Sequence, residues 1–102
     1  MKEASFQESA ADWQNYLSAN IKSDIPIKNG ACVGTYQVSI RFIVDKKGKI
    51  QGGYAETNFG FGMEAEGIRV IKKSPKWNPA IMMGKPVDAY RRQPLTFKVA
   101  NL

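Results

Sequence analysis

The chain has 102 residues, enough for one domain around a single core. It holds no histidine and one cysteine, Cys32, which excludes most nucleophile–base pairs, nearly all zinc ligand sets and any intramolecular disulfide. Fifteen basic and nine acidic side chains give a net charge of +6, a balance that favours acidic partners: nucleic acid, an anionic membrane or wall polymer, or an acidic peptide.

Residues 1–11 are polar and read as a disordered tail or linker remnant, which places the folded domain at 12–102. A first helix follows. Trp13, Tyr16, Leu17 and Ile21 recur at helical spacing and mark its buried face, with Ser9 or Asp12 as N-cap. The segment 24–34 carries two glycines, a proline and an asparagine and reads as a loop. Cys32 within it reads as a small apolar filler at the start of a strand, since no base or resolving thiol can be named for it.

The clearest strand comes next. Tyr36, Val38, Ile40, Phe42 and Val44 alternate with Gln37, Ser39, Arg41 and Ile43. Asp45-Lys46-Lys47-Gly48 supplies the turn, and a second strand is expected from about Lys49 to Thr57, with Gly52-Gly53 marking a bulge. After the loop 58–62, a second helix is predicted from Met63 to Ser74. Its buried stripe is Met63, Gly67, Val70 and Ile71, and Gly67 lets it sit close to a sheet. Glu64 and Glu66 in its first turn and Lys72 and Lys73 in its last complement the helix dipole. Residues 77–80 look too proline-rich for regular structure, with Trp77 plugging the core. Gly84-Lys85-Pro86 turns into a last strand, Val87 to Val99, whose Leu95, Phe97 and Val99 share one face.

The fold class expected is therefore α+β: a three-stranded sheet of order 2-1-3 packed against two helices. In that order the last strand is an edge, which suits Pro94, because proline lacks the N–H that a central strand donates.

Several motifs invite other chemistry. Gly60-Phe61-Gly62-Met63-Glu64-Ala65 matches a dinucleotide fingerprint, but Glu64 and Glu66 put negative charge where a pyrophosphate would sit. Glu64 with Glu66, or Asp45 with Glu56, lacks any partner that would set an acid–base pair. The reading is accordingly of a protein that is not an enzyme and needs no cofactor or metal. Lys46, Lys47 and Lys49 at the hairpin, and Lys72, Lys73 and Lys76 at the helix end, suggest a basic binding module for wall polymer or nucleic acid. Nucleic acid is disfavoured because the strand aromatics lie on the core face.

The run Gly34 to Ile50, the helix Gly62 to Ala80 ending in Trp77-Asn-Pro-Ala80, Gly84-Lys-Pro-Val87 and Gln93-Pro-Leu-Thr-Phe97 together resemble the C-terminal domain of TonB-type energy transducers over residues 34–99. That resemblance implies a periplasmic domain, anchored in the inner membrane by an N-terminal helix and linker and working with a proton-driven motor complex. It implies capture of the TonB box of an outer-membrane transporter as an added β-strand. The same module also occurs as a sensor or regulatory domain.

Combined with the edge-strand argument, this makes Arg92, Pro94, Leu95, Thr96, Phe97, Lys98 and Val99 the expected peptide-binding edge. Thr96 and Lys98 present backbone groups there, Arg92 steers an acidic peptide and Phe97 is buried beneath. An open edge also allows a homodimer.

Overall fold

The structure is a computed structural model and describes residues 2–6 and 10–100. Its elements in chain order are β1 (Ser5–Phe6), α1 (Ala10–Asn20), α2 (Ile25–Lys28), β2 (Gly34–Val44), β3 (Ile50–Ala55), α3 (Met63–Lys72), β4 (Trp77–Asn78), β5 (Ala80–Met82), β6 (Lys85–Val87) and β7 (Ala89–Val99).

The architecture is α+β. Its centre is a three-stranded antiparallel sheet of order β3-β2-β7. The alternating run of β2 places Val38, Ile40, Phe42 and Val44 on a fully buried face. β7 does the same with Gln93, Leu95, Phe97 and Val99. In β3, Gln51 and Tyr54 pair with Ile43 and Arg41, so the glycines between them form a one-residue bulge. Both Gly52 (φ 67°) and Gly53 (φ 114°) need the conformational freedom that glycine has there.

Helices α1 and α3 cover the apolar face. α3 buries Met63, Gly67, Val70 and Ile71, and Gly67 lets its backbone settle on the sheet. A Cβ at position 67 would stand 2.9 Å from Leu95 Cδ1 and 3.0 Å from Ile40 Cγ1. α1 buries Trp13 and Leu17, with Tyr16 and Ile21 packed at the margin. Among the described residues α1 begins at Ala10, so Asp12 lies within its first turn and not at the N-cap position. The other cap considered, Ser9, lies outside the described residues.

Three segments differ from the sequence expectation. Part of the stretch read as a tail is structured: Ala4 and Phe6 are in the core, and Ser5–Phe6 pairs with Trp77–Asn78. Two apolar residues sufficed because Trp77 makes T-shaped contacts with Phe6, Trp13 and Phe42 at centroid distances of 5.6, 4.8 and 5.4 Å. Residues 77–80 are not irregular: Trp77–Asn78 form β4 and Ala80 opens the β5–β6 hairpin, on either side of Pro79. Lys85 to Val87, read as a turn and the start of the last strand, form β6, and the last strand begins at Ala89. The loop 24–34 contains α2, where Pro26 occupies a first-turn position that tolerates it. Cys32 is exposed, and so is not the filler expected.

Candidate functional site

The free side of β7 is the candidate site, and the backbone parity of β2 defines it. Ser39 C=O accepts from Glu56 N–H (2.8 Å), and Ser39 N–H donates to Thr57 Oγ1 (3.3 Å). Both groups of Ser39 thus face the β3 side. In an antiparallel pair, residues whose groups face away from the shared ladder sit opposite one another. Ser39 is opposite Pro94, so Pro94 also faces away from β2. Arg92, Thr96 and Lys98 share its parity and direct their N–H and C=O outward. Gln93, Leu95, Phe97 and Val99 bond to β2.

Among the described residues no strand pairs with this outer side. Pro94 divides it. It offers no N–H, and its C=O already accepts from Gln93 Nε2 at 2.7 Å. The uninterrupted donors and acceptors are those of Thr96 and Lys98, whose side chains are exposed. The opposite edge, β3, is six residues long and bulged, a poorer template.

Beside this ladder runs a groove of about 260 Å³ between α1 and β7, lined by Gln14, Leu17, Ser18, Ile21, Pro94, Leu95 and Thr96. Two contacts hold α1 in place above it. Trp13 Nε1 donates to Gln93 Oε1 at 2.8 Å. At the other end, buried Glu66 accepts from Lys22 N–H (2.7 Å) and pairs with Arg69, which also donates to Asn20 C=O (3.0 Å). The Arg69 guanidinium holds the Glu66 carboxyl below its ordinary range despite burial.

The predicted site residues therefore separate into two sets. Thr96 and Lys98 face out with Pro94, whereas Leu95, Phe97 and Val99 form the floor. Arg92 behaves differently from the steering cation expected. Its guanidinium grips Glu56 through two bonds, Nε–Oε1 at 2.5 Å and Nη2–Oε2 at 2.9 Å, on the uncovered face of the sheet. That pairing lowers the Glu56 carboxyl and raises the Arg92 guanidinium, so the charge is matched within the domain.

Gln14, Ser18 and Gln93 escaped sequence reasoning. The signal was present: Gln93 is a polar residue at the inward parity of Leu95, Phe97 and Val99.

The remaining motifs are occupied by the fold itself. Glu64 accepts from Phe59 N–H (3.0 Å) and Gly60 N–H (2.9 Å), the donors a phosphate would need in the glycine-rich loop. Asp45 accepts from Lys47 N–H, Lys49 N–H and Gln51 Nε2 within the turn. Among the described residues no three His, Cys, Asp or Glu side chains gather to hold a metal ion.

The fold and edge together define an α+β domain with one long sheet edge available for pairing. Neither a scan against protein-family models nor a search of curated proteins returns a match for this chain.

Proposed function

We propose that this domain grips an extended segment of another protein by β-strand addition along the free side of β7. In this reading it is the periplasmic, inner-membrane-anchored domain of a TonB-type energy transducer. Its partner is the TonB box of an outer-membrane transporter, and the force comes from a proton-driven motor complex. The observation that carries the proposal is the outward backbone of Thr96 and Lys98 on an unpaired edge. Support also comes from the β3-β2-β7 sheet with α1 and α3 on one face, and from the ordered motifs of residues 34–99.

The grip is weak by construction. Each main-chain hydrogen bond contributes about 0.5–1.5 kcal/mol net, so a ladder across two outward residues holds a short peptide modestly and lets it go. Calorimetric titration of a synthetic TonB-box peptide tests the reading. Wild type binds and Lys98→Pro binds several-fold more weakly at unchanged thermal stability; equal affinity in the two would sink it.

A further inference from the structure

The tip of the β5–β6 hairpin holds an apolar side chain in a backbone conformation that does not suit it. Met82 is paired with Lys85, leaving Met83 (φ 52°) and Gly84 (φ 77°) as a two-residue connection. Positive φ at both positions is the type I′ turn, for which Asn-Gly is the usual pair. A methionine there is strained, and it gains no burial in return: Met83 is 94% exposed and Met82 47%.

Lysines gather around the base of the same hairpin. Lys46 N–H donates to Asp88 Oδ1 (2.8 Å), and Trp77 N–H donates to Gly48 C=O (2.9 Å), so the 45–48 turn abuts the segments flanking the hairpin. Between that turn and the end of α3 lies a cavity of about 350 Å³ lined by Lys49, Lys72 and Lys76. Lys47 is in the turn, Lys73 caps α3 and Lys85 is on the hairpin. The two basic clusters, separate in sequence, thus meet at one pole. Among the described residues no ion pair engages any of them. Of the acids nearby, Asp45 and Asp88 are occupied by backbone donors of the turn, and Glu3 lies against Ala80 and Ala89 at the hairpin base.

We propose that this pole docks on an anionic phospholipid bilayer, with the lysines at the headgroups and Met82–Met83 entering the interfacial layer. Stable attachment to a membrane surface needs two weak signals acting together, charge and a buried apolar group, and this pole has both. A soluble polyanion would use the lysines and leave the strained methionine without a role. The surface is distinct from the peptide edge. Lys98 stands nine residues along β7 from Ala89, about 30 Å at the usual rise per residue, so both can be engaged at once. The inference therefore stands whether or not β7 captures a peptide.

Co-sedimentation with vesicles tests it. The domain is expected to pellet with phosphatidylcholine vesicles containing about one-third phosphatidylglycerol, to stay in solution with phosphatidylcholine alone, and to be released by high salt. Lys72→Glu with Lys76→Glu lowers the partition coefficient at least about thirtyfold. Met82→Ser with Met83→Ser lowers it about fivefold without changing the circular dichroism melt. No pelleting with the anionic vesicles would overturn the proposal. So would pelleting that the methionine double variant leaves unchanged, which would indicate a general polyanion site.

Discussion

Ser39 turns its backbone toward β3, and for that reason its cross-strand neighbour Pro94 turns toward solvent. One residue in the central strand thereby fixes which groups of β7 are free, along the whole length of the edge. The same parity makes adjacent positions of β7 respond differently to one substitution.

Phe97→Pro should unfold the domain, because it removes a β2 ladder bond and a side chain only 1% exposed, the latter alone worth about 3–5 kcal/mol. Thr96→Pro removes an outward donor and should leave the melting temperature within a few degrees of wild type. Thermal denaturation of the pair distinguishes this parity from its reverse, in which Thr96→Pro would be the destructive change.

Pro94→Ala restores a donor in the middle of the free edge. The variant is expected to bind an added strand up to about tenfold more tightly, the value of one hydrogen bond. It is also expected to self-associate more readily, since proline is one means by which edges are kept apart. Sedimentation velocity at two concentrations checks the second outcome.

Gly67 is where α3 touches the sheet. Gly67→Ala gains up to about 1 kcal/mol of helix propensity and meets Leu95 and Ile40 with a close but yielding contact, so its net cost is small, roughly 0–2 kcal/mol. Gly67→Leu must push the helix off the sheet and should cost at least about 3 kcal/mol in urea denaturation. Gly48→Ala is also severe, since its Cβ would overlap the backbone carbonyl of Trp77 at a φ of 81°.

Acid should loosen α1 before it melts the sheet. Glu66 is held low by Arg69; in Glu64 burial pushes the carboxyl up, but the donors of Phe59, Gly60 and Thr57 act against it and the carboxyl lies below its ordinary range. A carboxyl whose folded value is depressed contributes stability that is complete above its unfolded value, about 4.3, and is lost as pH falls through the lower folded value. Stability should therefore decline below about pH 4.3. Glu66→Gln should be less stable than wild type at pH 7, with the gap closing in acid; a gap that is independent of pH would contradict the assignment.

Periodicity made the sheet and α3 legible. Five apolar residues alternating from Tyr36 to Val44 leave one way to bury them, and a helix ending at Pro75 with a glycine in its stripe leaves one face for contact. The N-terminal strand was not legible, because a two-residue pairing has no period to detect and Phe6 is stabilised by Trp77, seventy-one positions away. The partner of Arg92 was hidden for the same reason: Glu56 meets it across the central strand, and a charge read singly in sequence looks free. The groove beside β7 depends on where α1 rests, which the buried Glu66–Arg69 pair and the Trp13–Gln93 bond decide, and neither shows in a sequence pattern.

Amide hydrogen exchange, followed residue by residue with and without a TonB-box peptide, tests the central claim most directly. Leu95 and Phe97 should be protected in the free domain, and saturating peptide should add protection at Thr96 and Lys98. Protection gained instead along β3, or no change at Thr96 and Lys98 when the peptide is bound, would contradict it.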